Sequence, residues 1–170
     1  MTELESGTEP TPVQPHAIDL ATLSALAGDL SSEYLLQRVR ERGHPFVRIS
    51  HGYVFQHLID ATPTVTQLAQ RLGVTQQAAS KAIVELEQLG YIVRQADSVD
   101  NRVRRVTLTP AGREVVDAGR EARGVLESSL RDLVGDDDLA AAKRAITVLL
   151  AEVGGIEAVR GRRVRARSSE

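Results

Sequence analysis

Residues 99–112 of the chain read VDNRVRRVTLTPAG. Asp100, Arg102, Arg104 and Arg105 crowd together ahead of Val106-Thr107-Leu108-Thr109, a β-prone run that Pro110 closes. Clustered guanidinium groups do one kind of chemistry well: they hold anions through charge-assisted, forked hydrogen bonds. A solvated charged face uses the same residues, and these positions alone leave the two readings level. A second polar set lies upstream, where Gln76, Gln77, Ser80 and Lys81 follow Thr75. With Val84 they fall within about one quadrant at ~100° per residue. Acids enter only further along, at Glu85 and Glu87, whereas a plain solvated face mixes long acids and bases from its first turn.

These side chains need elements to position them. Around the polar strip, Ala79, Ala82, Ile83 and Leu86 recur at the i, i+3, i+4, i+7 spacing of a buried helical stripe. Thr75 caps this helix and Gly90 ends it. A shorter helix precedes it, with Leu68, Ala69 and Leu72 inward and Gly73 as its stop. Thr64 with Gln67 makes a capping box for it, with Thr66 as a competing cap. After Gly90 the period shortens. YIVRQ and VRRVTLT read as paired strands around a mobile tip, ADSVDN, with Ile92, Val106 and Leu108 anchoring the base. Flanking helices are predicted at 17–42, ended by Gly43-His44-Pro45, and at about 47–60. Pro110 opens a long helix with the stripe Val115, Ala122, Leu126, Leu130 and Leu133. GDDD then caps a last helix that turns Leu139, Ala142, Ile146, Leu149 and Val153 inward and ends at Gly154-Gly155.

Composition narrows the function. A length of 170 residues with 42% hydrophobic content suits one domain with a real core. The net charge of -2 is unevenly spread: no Lys or Arg precedes Arg38, while the stretch from Thr64 to Arg113 is basic on balance. Such asymmetry suits a localised anion-binding surface. The chain has no cysteine, which excludes disulfides, thiolate metal ligands and thiol nucleophiles within it. MTELESGTEP reads as no signal peptide, no apolar run approaches ~18 residues, and a cytoplasmic protein without membrane association is expected. Residues 1–15 are read as a disordered tail and 156–170 as a basic, disordered one. The Arg160 to Arg167 run equally suits sequence-independent phosphate attraction and a tail that happens to be basic.

Two short helices joined by a tight glycine turn make a helix-turn-helix, although a plain helical bundle needs similar residues. The polar strip decides for the former. Gln pairs bidentately with adenine, Lys reaches guanine or phosphate, and the helix N-terminus itself favours phosphate. The hairpin would then carry Arg102 and Arg104 beyond the helices, toward a narrow minor groove. Asp100, which cannot meet phosphate, is expected to order the Arg102 guanidinium, and Arg94 on the opposing strand to meet the backbone.

With these residues in view, segment 64–112 resembles the winged helix-turn-helix of the MarR (multiple-antibiotic-resistance regulator) family. LAQRLGVTQQAASKAIVELEQLGYIVR is similar to its paired helices and first wing strand. Asp100, Arg102, Leu108, Thr109 and Gly112 occupy its wing pattern. The flanking helices fall in the family's order, so the likeness extends over about 17–154. It implies a mainly α fold with a small β-hairpin wing, organised as a 16–155 domain. Within it, a winged core at 62–112 lies between dimerisation helices at 17–42 and 110–154. It further implies a homodimer on a pseudo-palindromic double-stranded DNA operator, acting as a transcriptional regulator, with repression the commoner sign. Release by a small aromatic or phenolic effector is part of the same expectation. The DNA-binding set is then Thr66, Thr75, Gln76, Gln77, Ser80, Lys81, Arg94, Asp100, Arg102 and Arg104.

The helix FVRISHGYVFQHLI departs from the family in its His and aromatic content. Arg48, His51 and Tyr53, with Tyr34, are candidate effector ligands, against the plainer reading of half-buried core and surface residues. A metal site is not expected, because His51 and His57 point ~120° apart on one helix and no Cys helps. No cofactor is expected, and with no phosphate loop, nucleophile elbow or catalytic dyad an enzyme is not expected either. Asp136-Asp137-Asp138 reads as a helix cap. The competing class is a winged-helix protein-interaction module without sequence-specific DNA binding. An exposed aromatic patch on the second helix would favour that class, and the sequence has none there.

Overall fold

The computed structural model describes residues 14–161. A 3-10 turn at Pro15–Ala17 leads into α1 (Leu20–Glu41), followed by α2 (Ile49–Leu58), α3 (Val65–Leu72) and α4 (Gln76–Gln88). The strands β1 (Ile92–Ala96) and β2 (Arg104–Leu108) form one antiparallel hairpin, and α5 (Pro110–Glu152) and α6 (Ile156–Arg160) complete the chain. The architecture is the expected one, mainly helical with a single β-hairpin. The expected tail at 1–15 falls largely outside the described residues. At the other end Ile156–Arg160 is helical rather than tail, and residues 162–170 lie outside the description. Helix α1 begins three residues later than the periodicity suggests because Asp19 caps it, accepting from the Thr22 amide at 2.9 Å.

The core gathers where the short helices, the hairpin base and the first turns of α5 meet. Leu68, Ile83, Leu86, Ile92 and Val106 are almost completely enclosed. Val54, Phe55 and Leu58 of α2 close one side, with Leu36 and Val39 of α1 and Val115 and Val116 of α5 on another. The hairpin register pairs Ile92 with Leu108 and Ala96 with Arg104. Alternation along β2 therefore buries Val106 and Leu108 and leaves the far end of the ribbon free to project.

The outer helices leave much of their apolar surface uncovered, and most of the last-helix stripe expected inward is exposed. On α1, Leu20, Leu23, Leu26 and Leu30 are exposed; on α5, Val125, Leu130, Leu133, Ile146 and Val148 are exposed, as is Val153 beyond its end. Among the last-helix positions expected inward, only Leu139 is buried. Gly135 breaks α5 at φ +79°, ψ 167°, which corresponds to the expected start of a separate final helix. Ion pairs Arg131–Asp136 and Glu127–Lys143 link the two arms across the break.

The hairpin is joined to α5 by a close approach. Thr109 caps α5, its hydroxyl accepting from the Gly112 amide at 3.1 Å and donating to the Gly90 carbonyl at 2.7 Å. The Thr109 amide donates to the Tyr91 carbonyl at 3.0 Å. A Cβ at Gly112 would stand 2.0 Å from that same oxygen, so the glycine of the TPAG sequence is required by space. Gly112→Ala is expected to cost about 2–4 kcal/mol, the scale of forced overpacking against backbone, with an unchanged denaturant slope in urea unfolding. A loss below about 1 kcal/mol would show that the Tyr91 strand end yields freely.

Candidate nucleic-acid interface

Gly73 adopts φ +70° and ψ 32°, a left-handed turn that β-carbon-bearing residues rarely accept. It ends α3 and returns Val74 to the core, the Val74 amide donating to the Ala69 carbonyl at 3.1 Å. Thr64 is the N-cap of α3, exchanging hydrogen bonds with Gln67 at 3.0 and 3.2 Å, which leaves Thr66 exposed on the first turn. Thr75 caps α4 by accepting from the Ala78 amide at 3.1 Å. The two caps and the turn orient α4 so that Ala79, Ile83 and Leu86 are buried. Gln76, Gln77, Ser80, Lys81 and Val84 then line one shallow surface groove. Thr75 and the three longer polar residues are exposed, and Ser80 is half-buried.

The wing divides its arginines into two kinds. Arg105 is an anchor: its guanidinium pairs with Asp97 and donates to the Thr62 carbonyl at 3.2 Å. Beside it the Val106 amide donates to the Pro63 carbonyl at 2.9 Å. The wing is thereby fastened to the segment entering the helix-turn-helix. Asp97 also accepts from the Val99 amide at 2.8 Å and the Asp100 amide at 3.2 Å. The Arg105 guanidinium and these amides hold its carboxyl at a pKa of about 2. Arg102 and Arg104 are exposed at the tip and at the first residue of β2, and neither makes an ion pair among the described residues.

One expected role is corrected, and a second residue has a further partner. The Asp100 carboxylate accepts from the Arg102 backbone amide at 2.9 Å, not from its guanidinium. A short aspartate side chain reaches an amide two residues on more readily than a distant side-chain head. Arg94 is not aimed outward alone. Its Nε donates to Glu87 at 3.0 Å and its backbone amide to the same carboxylate at 3.3 Å, tying β1 to α4. Asp97, Arg105 and Glu87 are thus site residues that a reading of single elements passes over. Their signal lies in acid–base pairs flanking the hairpin.

The four candidate effector residues are not brought together. Arg48 lines a cleft of about 170 Å³ among α1, α2 and α5. His51 is buried away from that cleft, its Nδ1 accepting from the Arg48 amide at 3.3 Å and its Nε2 lying 3.6 Å from Glu85. Tyr53 is exposed and does not line the cleft. Tyr34 sits in a separate groove, with the Arg38 guanidinium 4.9 Å from its ring centre.

Burial and the Arg48 charge lower the His51 pKa from 6.5 to about 4. Its ring is therefore neutral near pH 7, with the proton on Nε2, because Nδ1 is already an acceptor. Among the described residues no helix is long and apolar enough to cross a membrane.

Comparison with known proteins agrees with this geometry. Residues 49–102 match the model of the MarR family. YusO from Bacillus subtilis is 22% identical with a TM-score of 0.60, covering 78% of this chain and 91% of that one. The S. aureus MepR–DNA complex is 23% identical with a TM-score of 0.58, covering 79% of this chain and 97% of that one. MepR has also been solved bound to ethidium bromide, at 22% identity and a TM-score of 0.55 over 81% of this chain and 99% of that one. A curated relative, riboflavin kinase from Thermoplasma volcanium, is 42% identical over 53 residues, which span 31% of this chain and only 23% of the kinase.

Two outcomes follow from the electrostatics. Arg105→Ala should speed hydrogen exchange at the Asp97 and Val103 amides while leaving Ile92 protected, at a stability loss of about 1 kcal/mol or less. Equal exchange in both proteins would show that Arg105 does not hold the wing. His51 binds its proton more weakly in the folded state than in the unfolded chain. Its contribution is full above pH 6.5 and lost as pH falls toward 4, up to about 3 kcal/mol. Denaturant unfolding at stepped pH, with the ring followed by NMR, checks this; a ring titrating near 6.5 would contradict it.

Proposed function

We propose that this chain, built on a MarR-family winged helix-turn-helix, is a sequence-specific double-stranded DNA-binding transcriptional regulator of the cytoplasm. The observation that carries the reading is the Gln76-Gln77-Ser80-Lys81 strip along the surface groove at the capped N-terminal end of α4, set beside a wing whose tip arginines make no ion pair among the described residues. In this reading α4 enters a major groove, Gln76 and Gln77 meet base edges, and Thr66, Thr75, Ser80 and Lys81 contact base edges or phosphates. The wing places Arg102 and Arg104 against the neighbouring minor groove. Arg94 and Asp100 act as positioning residues through Glu87 and the wing-tip amide. The fold shared with MepR, a protein solved on DNA, supports the same reading.

The active unit is a homodimer on a pseudo-palindromic operator, with half-sites about one helical turn, ~34–36 Å, apart. The exposed leucines and valines of α1 and α5 support this, since a monomer leaves them in water. Repression relieved by a small effector is the regulatory mode proposed, and the solved MepR–ethidium complex is consistent with an effector site in this fold. The kinase match covers too little of that enzyme to carry a catalytic reading, and a non-enzymatic role is proposed.

The test is binding to a labelled fragment from just upstream of the chain's own gene, at two salt concentrations and against excess random DNA. Tight binding that survives competition is expected, with log affinity falling by about 0.9 per phosphate contact per log unit of salt. Arg102→Ala should weaken it roughly tenfold without lowering the melting temperature. Gln77→Ala should relax sequence preference by about 1–3 kcal/mol at one position. Binding erased by random DNA at moderate salt would overturn the reading and leave a protein-interaction module.

A further inference from the structure

Beyond Lys81 the outward face of α4 should turn hostile to phosphate, because Glu85 and Glu87 follow. The fold holds both acids back. Glu85 pairs with the Arg48 guanidinium and stands 3.6 Å from His51 Nε2, which draws it toward α2. Both oxygens of Glu87 are occupied by Arg94 of β1, Oε1 by its amide at 3.3 Å and Oε2 by its Nε at 3.0 Å. Each negative charge past the strip is thereby matched by an arginine. The surface groove itself is lined by Gln76, Gln77, Ser80, Lys81 and Val84.

Val84 is the apolar member of that lining, and it is 38% exposed. Single exposed valines are ordinary on protein surfaces, but this one stands inside a polar groove among amides, a hydroxyl and an ammonium. On a helix its β-branched side chain keeps essentially one rotamer, so its methyls are presented with little further ordering cost on contact. An apolar face on a protein partner would meet only this one side chain, too little for a protein interface core. The major-groove edge of a base pair offers a single apolar group, the C5-methyl of thymine, set among hydrogen-bond donors and acceptors. One methyl contact flanked by hydrogen-bonding side chains is the complement of that edge. Val84 lies seven residues beyond Gln77, about 10.5 Å along the helix axis, or about three base-pair steps of ~3.4 Å.

We propose that Val84 is a specificity-determining residue that reads the C5-methyl of a thymine in the major groove. Arg48 and Arg94, by neutralising Glu85 and Glu87, let α4 approach the duplex as far as this turn. The assignment rests on the DNA-binding function proposed above and adds to it one kind of base pair that α4 selects.

The test uses the full chain and an operator selected from random-sequence duplexes. Each thymine of a half-site is replaced in turn by deoxyuridine, which removes the methyl and keeps every hydrogen-bonding group. One thymine in each half-site should prove sensitive, its replacement weakening binding about fourfold, the scale of one buried methyl group. Val84→Ala should weaken binding to the thymine operator by a similar factor and should bind the thymine and deoxyuridine duplexes alike. Val84→Ala that weakens both duplexes equally, with the thymine preference kept, overturns the assignment.

A second readout needs no variant. In the complex of the unmodified protein, a nuclear Overhauser contact between a Val84 methyl and the sensitive thymine methyl is expected. An operator without a deoxyuridine-sensitive thymine, or a sensitive thymine with no contact to Val84, overturns the assignment while DNA binding stands. Failure to select any preferred duplex overturns the functional reading, and the Val84 assignment with it.

Discussion

The placement of the wing depends on how near two pieces of backbone come to each other. The first turn of α5 passes the Tyr91 carbonyl so closely that no β-carbon fits at Gly112. The Thr109 amide and hydroxyl bind that carbonyl and the one before it. This clasp fixes the end of α4, the start of β1 and the entry to α5 in one small volume. The hairpin leaves the core in the direction it does because its two ends are held there. Helix α4 and the wing thus share a common foot, and the apolar residues Ile92, Val106 and Leu108 are sealed behind it.

Electrostatics then refine what packing has placed. Paired charges position and unpaired ones reach. Arg105 and Arg94 are held by carboxylates on or beside the ribbon, so their value is geometric: they tie the wing to the Thr62–Pro63 segment and to α4. Arg102 and Arg104 have no such partner among the described residues and remain available at the exposed end. The same division holds at the cleft among α1, α2 and α5, where Arg48 pairs with Glu85 and Arg123 makes no ion pair among the described residues. Six arginines of one side-chain type thereby perform different tasks, and only their partners distinguish them.

What the sequence disclosed follows the same boundary. Helical period assigns faces, so the strip from Gln76 to Val84 and the buried set Ala79, Ile83 and Leu86 are legible in the sequence itself. Glycine and threonine at the turns were legible because their conformational roles are local. Ion pairs were not, since they depend on hairpin register and on choices among several acceptors. Asp100 stands near three arginines in the sequence, yet its carboxylate takes a backbone amide. Tyr53 fails as a partner of His51 for a simpler reason: two residues along a helix point ~200° apart. The stripes of α1 and α5 were legible as apolar, and the last-helix positions read as inward are mostly exposed, because periodicity identifies a face without identifying what covers it.

That uncovered face makes the outer helices a property of the solution as well as of the chain. Apolar side chains from Leu20 to Leu30 and along α5 gain their full stabilisation only when another surface excludes water from them, and a partner supplying that surface would add a mass-action term to the stability of the region. A winged core closed on its own hydrophobic centre is spared that dependence. One polypeptide therefore combines a winged core of self-contained stability with outer helices whose stability depends on what covers them.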